Sequence, residues 1–561
     1  MIQAYRVRTV LIFFIFCAIY GIILCNLLLV QIKQRTYFTH LGQQQHELVI
    51  TTPPPRATIL DRTGKRLLAL NKDSIAAFLL PRQLEQPQKV RAFLTQHFPS
   101  ALSRLEQHAS SCFLFIKRRL SPQEIDLIQK SGLHDIKLLA EPSRFYPNEA
   151  TACLIGVTDI DNAGLFGIEL ACNDQLAGKA TTYCLERDSH NTYLKKEIKV
   201  AGMPGQSVTL TIDSDLQFLA YEELKKTIAH FNAKQGGAII MDPESGDVLA
   251  MVNYPSFDPN NITNLDIEKT KNTCVSDCYE LGSVIKVCAA MAALEHGVVT
   301  PDELIDCKGI KTAYIDGRKI NTWKAHDIIP FEQVIAQSNN IGIAQVAQRI
   351  GAPLYDYYMR LGFGNKTGLG LPGEQKGFVN TPDNWSKQSV ISLSYGYEIS
   401  ATLLQLARAF SLIANGGYLV QPRIVASAAN GLDKVTINGR TWVDDSNSLS
   451  LKGQPQFSQS TITTIQSILE KTTLEGTAKK AAVQGYRVMS KTGTANLLEN
   501  NQYNPDRNLY TCAGIVQKDN YKRVLVVFVK EAAQKDLYAS TVAAPLFERI
   551  AEKTIIHEKI L

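Results

Sequence analysis

From Thr9 to Ile32 the chain carries no charged residue, reading TVLIFFIFCAIYGIILCNLLLVQI. A helix rising about 1.5 Å per residue over that length crosses a bilayer core of about 30 Å. A cleavable leader has a shorter apolar stretch and small residues before its cut site. Here CNLLLVQIKQR follows, and bulky Leu24 before Cys25 argues against a lipid-modified cysteine. The run therefore reads as an uncleaved signal anchor over residues 9–32, in preference to a buried core helix. Flanking charge does not orient it, with Arg6 and Arg8 before the run and Lys33 and Arg35 after it. No second run of this kind occurs in the 561 residues, and the mean hydropathy is −0.07, which excludes a polytopic transporter. With 45% hydrophobic and 20% charged residues, the remainder can bury more than one core, so disorder is excluded as its main character. A net charge of +6, without a block of like charges, gives no case for nucleic-acid binding.

The eleven cysteines include Cys17 and Cys25 in the apolar run; Cys112, Cys153, Cys172, Cys184, Cys274, Cys278, Cys288, Cys307 and Cys512 follow. That set is odd in number and has no C-x-x-C spacing, so neither a zinc site nor a dense disulfide scaffold is indicated. Cys274 and Cys278 are spaced either to pair or to pack. Free thiols acting as small hydrophobes are the preferred reading.

Beyond the anchor, KQRTYFTHLGQQQHEL reads as a helical stalk broken by Pro53-Pro54-Pro55. Asp61-Arg62-Thr63-Gly64 between apolar segments predicts a hairpin. LEQPQKVRAFLTQHF and SPQEIDLIQKSGL predict helices, CFLFIK a strand, and residues 141–180 are rich in turns. Residues 33–202 thus read as an elongated mixed pedestal with little chemistry of its own. A boundary near MPGQ opens the second half, residues 203–561. There SVTLTID is strand-like, DLQFLAYEELKKTIAHFNA is an amphipathic helix capped by Asp213 or Ser214, and GGAIIMDPESGDVLAMVNYP is two strands around a turn. Residues 283–430 read as mostly helical, and 434–458 as a polar excursion. β character returns in YRVMSKTGTA, YTCAGIVQ and RVLVVFVKE before a closing helix. A sheet assembled from both ends of this half, with helices inserted between, is an α+β layout.

Three short motifs could carry chemistry. Ser283-Val-Ile-Lys286 opens a helix, and its spacing puts hydroxyl and amine one turn apart on one face. The amine could take the hydroxyl proton only if its pKa, ordinarily about 10.4, were depressed by burial or a neighbouring cation. When the motif stands alone, a capping serine with a solvated lysine is the preferred reading. Ser338-Asn339-Asn340 interrupts two apolar stretches and reads as a cap or as a polar point held inside a helical layer. Lys491-Thr492-Gly493-Thr494 ends a strand, where Gly493 lets a ligand backbone approach; a plain hairpin turn is the alternative.

Together and in this order the three are Ser-x-x-Lys, Ser-x-Asn and Lys-Thr-Gly, the signature of serine acyl-transferases that react with penicillin. The chain resembles the class B penicillin-binding proteins, monofunctional peptidoglycan D,D-transpeptidases, over nearly its whole length. The likeness includes RATILDRTGKRLLAL, RFYPNEATACLIG and GLFGIE in the pedestal, and YELGSVIK, TGLGLPGE, SYGYEISATLLQLA and VAAPLF beyond it. Asn340 and TGLGLPGE, where elongation-type relatives carry Asp and TGIDLPGE, make it similar to the division-type penicillin-binding protein 3. No glycosyltransferase segment precedes the pedestal and no repeat domains follow, as in Gram-negative inner-membrane members. Three positions depart from the family pattern: Leu281 for Pro, Ala57 for Gly, and Tyr538-Ala539-Ser540 for Tyr-Gly-Gly.

The resemblance implies a transpeptidase fold behind the pedestal, with residues 1–8 a cytoplasmic tail and the body in the periplasm. It implies Ser283 as the nucleophile acylated by stem peptides or β-lactams, and Lys286 as general base. Ser338 would relay a proton, Asn340 would orient Lys286 and the substrate amide, and Lys491, Thr492 and Thr494 would hold the terminal carboxylate. Backbone N–H groups of Ser283 and Thr494 would form the oxyanion hole. No metal or cofactor is called for, and the implied partners are a membrane glycan polymerase and divisome proteins. D,D-carboxypeptidases and β-lactamases share the triplet but lack the RATILDR module. An elongation-type role remains an alternative, and so does an idle scaffold, which would be marked by loss of motif residues; none is lost.

Overall fold

The computed structural model describes residues 2–111, 113–187, 193–263, 265–428, 434–437, 440–443, 453–499 and 502–560; Cys112 and much of the expected polar excursion at 434–458 lie outside them. The chain forms two units, Met1–Pro55 with Gly178–Gly205, and Arg56–Ala177 with Gln206–Leu561. In the first, helix Ile2–Leu28 continues through a π-turn, Leu29–Lys33, into helix Arg35–His46. Its Arg6–Lys33 stretch is long and apolar enough to cross a membrane, and none of it is buried in the protein. Among the described residues it is the one helix of that kind, which is consistent with a single-pass membrane protein. The stalk helix stops at His46, because the β-branched run of Glu47–Thr52 pairs with Thr181–Arg187, and that strand with Tyr193–Val200.

The second unit is built on a five-stranded antiparallel sheet. Its strands are β1 (Gln235–Met241), β2 (Val248–Tyr254), β3 (Arg487–Glu499), β4 (Gln502–Lys518) and β5 (Tyr521–Lys530), in the order β2-β1-β5-β4-β3. The strands read as continuous apolar runs because both faces are covered. Along β5, Val524, Val526 and Phe528 belong to one hydrophobic cluster, and the alternate Leu525, Val527 and Val529 to another. The second cluster holds helices Ser214–Phe231, capped by Asp213, and Ala539–Ile560 against the sheet. The first joins the sheet to the helices between β2 and β3, among them Lys286–Glu295, Asn340–Ile350 and Leu403–Ala414. With β3 at the sheet's edge, its outer side is open to whatever lies beside it.

That intervening region is less helical than its composition implies. Leu304–Asp306 pairs with Ile328–Pro330, and Thr312–Ile315 with Arg318–Asn321. The second pair is closed by Asp316-Gly317, both at positive φ, the Asp-Gly turn of a tight hairpin. The cysteines of the described residues are free thiols; Cys274 is buried and donates to the Val252 carbonyl, so it packs and does not pair with Cys278.

Residues 56–177 share a sheet with the catalytic half. Ile59–Leu60 pairs antiparallel with Leu67–Leu79 around the expected Asp61–Gly64 turn, and parallel with Val208–Leu210. Beside this sheet, three segments noted separately in the sequence converge on one buried carboxylate. Glu169 of GLFGIE accepts from Arg56 Nε at 2.7 Å and from Arg144 Nε at 2.6 Å, and all three side chains are almost wholly buried. Arg56 also donates to the carbonyls of Glu169 and Asn162. Ala57, at the family's glycine position, is absent from the residues with positive φ, so nothing there demands glycine. Removing one partner of such a cluster strands buried charge. Glu169→Ala is therefore expected to cost about 3–5 kcal/mol, seen as a lower urea midpoint for the full chain in detergent, with no loss of active-site residues.

Candidate active site

Ser283 lies in a 3₁₀ turn, Gly282–Val284, that leads into helix Lys286–Glu295. This turn is pressed against β3 at backbone distance. A Cβ on Gly493 would lie 2.5 Å from the Leu281 carbonyl oxygen and 2.9 Å from the Val284 nitrogen. A Cβ on Gly282, which has φ +58°, would lie 2.8 Å from the Thr494 carbonyl oxygen. From the third side, a Cβ on Gly396 would come within 2.2 Å of the Gly282 carbonyl oxygen. The close approach expected at Gly493 is thus made by the protein's own nucleophile turn. Leu281, at the family's proline position, is buried with φ −88°.

Ser338 occupies the junction between helices Phe331–Ala336 and Asn340–Ile350, with φ +56°. A left-handed conformation in a non-glycine residue costs about 1–3 kcal/mol and persists only when its surroundings impose it. Here Asn339 imposes it in part. Its buried side chain caps the following helix, accepting from Ile341 N and Gly342 N, and its amide nitrogen lies 3.2 Å from His326 Nδ1. The junction turns both oxygens of Ser338 toward Lys286.

Lys286 is wholly buried, and its Nζ lies 2.7 Å from the Ser338 carbonyl oxygen, 3.0 Å from Ser338 Oγ and 3.1 Å from Ser283 Oγ. Lys491, equally buried, donates to Ser338 Oγ at 3.0 Å and to the Thr492 carbonyl at 2.8 Å. Ser283, Lys286, Ser338 and Lys491 thus form one continuous hydrogen-bonded chain. Among the described residues, no carboxylate is a partner of either amine. Burial, and then the charge of Lys491, hold the Lys286 amine well below the ordinary lysine range. Burial likewise pushes Lys491 down to about 7. A neutral amine keeps two N–H donors and one lone pair. Two donors satisfy the two Ser338 oxygens, which leaves the lone pair to accept the Ser283 proton.

Beside this chain opens a cavity of ≈ 470 Å³, lined by Ser283, Ser338, Asn340, Thr492 and Thr494 together with Trp323, Gly476, Thr477, Lys479, Lys480 and Tyr538–Ser540. The sequence motifs therefore converge on one pocket, and two of their side chains also have partners within the protein that the motifs do not show. The Asn340 amide donates to the Asn321 carbonyl at 2.6 Å, and Lys286 is oriented by Ser338. The Thr494 hydroxyl accepts from Ala539 N at 3.0 Å, anchoring the first turn of the C-terminal helix. Of the wall, Trp323, Thr477 and the two lysines carry no motif; the Asp-Gly hairpin before Trp323 was the available signal.

The family profile described as the penicillin binding protein transpeptidase domain matches residues 236–552, and the penicillin-binding protein dimerisation domain profile matches 51–210. The chain is a penicillin-binding protein. Among relatives of this penicillin-binding protein is a protein named probable peptidoglycan D,D-transpeptidase PbpC of Pseudomonas aeruginosa. It is 30% identical over 534 residues, 94% of this chain and 90% of the relative. The peptidoglycan D,D-transpeptidase FtsI of Escherichia coli is 30% identical over 451 residues, 80% of this chain and 73% of the relative. Penicillin binding protein 3 of Mycobacterium tuberculosis, solved with aztreonam, superposes with a TM-score of 0.66 at 26% identity, over 91% of this chain and 97–98% of its own in the aztreonam and ampicillin complexes.

Because Gly493 meets backbone on the nucleophile turn, a methyl group there must push Ser283 away from Lys286 and the cavity. A displacement of about 1 Å in a reacting group costs on the order of 100-fold in rate. Gly493→Ala should lower the second-order rate of acylation by a fluorescent penicillin by that order.

Proposed function

We propose that this penicillin-binding protein is a peptidoglycan D,D-transpeptidase of septal wall synthesis, with Ser283 as the acyl carrier. The observation that carries the assignment is the buried chain Ser283–Lys286–Ser338–Lys491, which sets an amine, held by burial well below the ordinary lysine range, beside a hydroxyl at the floor of an open cavity.

In this reading Ser283 Oγ attacks the carbonyl carbon between the last two D-alanines of a donor stem peptide while its proton passes to Lys286. The tetrahedral oxyanion is met by the backbone N–H groups of Ser283 and Thr494, a kind of donor whose individual loss costs about 3–4 kcal/mol in other enzymes. Ser338 Oγ accepts from both amines and has its own proton to give, so it delivers that proton to the departing D-alanine nitrogen and is reloaded from Lys286. Lys491, Thr492 and Thr494 receive the terminal carboxylate, and Asn340 the peptide amide. An amine from a neighbouring stem then attacks the ester, its proton returns through Lys286, and Ser283 is released with the cross-link made. A β-lactam follows the first half only, because its leaving nitrogen stays tethered after the ring opens. The anchor at residues 9–32 fixes the chain in the inner membrane with its N-terminus inside and the catalytic unit in the periplasm. A membrane glycan polymerase and other division proteins are the partners of such a site. The septal role rests on the FtsI-type relatives and on Asn340 and TGLGLPGE.

Ser283→Ala should abolish covalent labelling of the full chain by a fluorescent penicillin while leaving its thermal unfolding unchanged; surviving label would remove Ser283 as nucleophile. The two amines also set the pH dependence. Burial and the charge of Lys491 hold the Lys286 amine well below the ordinary lysine range, and burial brings Lys491 down to about 7. The working form, neutral Lys286 beside charged Lys491, is lost to protonation on the acid side and to Lys491 deprotonation on the alkaline side. Acylation by an anionic penicillin should therefore be bell-shaped, with its alkaline limb near pH 7. In Lys491→Arg, which stays charged, that limb should move out of the measurable range. An alkaline limb unmoved in the variant would separate it from Lys491.

A further inference from the structure

We propose that Lys479 and Lys480 form an anion-binding subsite of the active-site cavity, which favours acyl donors bearing a second carboxylate besides the terminal one. The proposal rests on the transpeptidase reading and adds a substrate class to it.

Among the described residues that line the cavity none is acidic, and these two lysines are the only charged ones. Both are exposed, and neither is ion-paired with a carboxylate among the described residues. Glu475, the acid nearest in sequence, is hydrogen-bonded instead by the Gln333 side-chain amide. The lysines are also held in place. They belong to a 3₁₀ turn, Lys479–Ala481, flanked and closed by the fully buried Ala478 and Ala481. Thr477 N donates to the Ala336 carbonyl at 3.1 Å, and Ala478 N to the Thr472 carbonyl at 3.2 Å. Thr492 Oγ1 donates to Thr477 Oγ1 at 3.1 Å, which ties the turn to the strand expected to grip the terminal carboxylate. Two adjacent ammonium groups on a fixed turn thus line a cavity to which no acidic side chain among the described residues contributes. In the transpeptidase reading the terminal carboxylate has its own partners in Lys491, Thr492 and Thr494, and both threonines line the cavity. The surplus charge at the wall is complementary to a further carboxylate on the stem, presented on a residue before the scissile pair. The field of the two lysines also raises the local concentration of anionic donors, an effect that salt screens.

The test compares two penicillins, one with the ring carboxylate alone and one with a second carboxylate on its side chain. Second-order acylation rates are measured on the full chain in detergent, for the wild type, Lys479→Gln/Lys480→Gln and Lys479→Arg/Lys480→Arg. Each exposed ion pair contributes on the order of a two- to fivefold effect. The ratio of dianionic to monoanionic rates should therefore fall about four- to twenty-five-fold in the glutamine variant, remain at the wild-type value in the arginine variant, and decline with added salt only where the charges are kept. A ratio unchanged in the glutamine variant, or lost equally in the arginine variant, would overturn the subsite. Failure of both penicillins to acylate the wild type would instead overturn the transpeptidase reading.

Discussion

The catalytic unit is organised by a contact in which two stretches of backbone meet with no side chain between them. Gly282 and Gly493 let the nucleophile turn and the edge strand β3 touch, and Gly396 closes the third side. All other distances in the site follow from this. Lys491 can reach Ser338 only because its strand lies against the turn, and Ser338 can meet Lys286 only because the helix that begins there is fixed by the same contact. The hydrophobic clusters on the two sheet faces supply most of the burial, but they are tolerant of exchange between residues of similar volume. The glycine contact tolerates no substitution, since each Cβ would meet carbonyl oxygen or amide nitrogen.

Within that frame the protein keeps two lysines wholly buried, with no carboxylate partner among the described residues. Charged, each would demand solvation that the interior lacks, so burial holds both amines below the ordinary lysine range, Lys491 at about 7, and Lys286, lowered further by its neighbour's charge, becomes useful as a base. The same environment strains Ser338 into a left-handed conformation. Local cost is thus concentrated where the chemistry is, and the two-sided packing of the sheet compensates for it elsewhere.

Much of the fold was legible in the chain. The apolar runs of β1 and β5, the Asp213 cap and the closing helix each announce themselves through period, length or capping chemistry. The short strands between residues 304 and 330 were hidden because each has only three or four residues, too few to show a period. At the site, residue types and order pointed to Ser283, Lys286, Ser338 and Lys491, but not to how Asn340 and Thr494 spend their polar atoms. Those partners, Asn321 and Ala539, come from distant segments whose arrival no local pattern foretells. The same holds for Lys479 and Lys480, which in one dimension look like any solvated pair. The ion cluster around Glu169 shows the reverse: RATILDR, RFYPNEA and GLFGIE, seemingly unrelated segments, proved to be three contributions to a single buried charge arrangement.

The strand order β2-β1-β5-β4-β3 has a consequence for biogenesis. A ribosome delivers β1 and β2 long before β5 exists, so the apolar rim of β1 that β5 will cover must wait, unpaired, through the synthesis of more than half of the catalytic unit. Pairings so distant in sequence close slowly, and half-made sheets of this kind are prone to stick to one another. The newborn enzyme is thus at its most vulnerable just before its last strands emerge, and a quality-control factor guarding that interval would have an open β-edge to recognise.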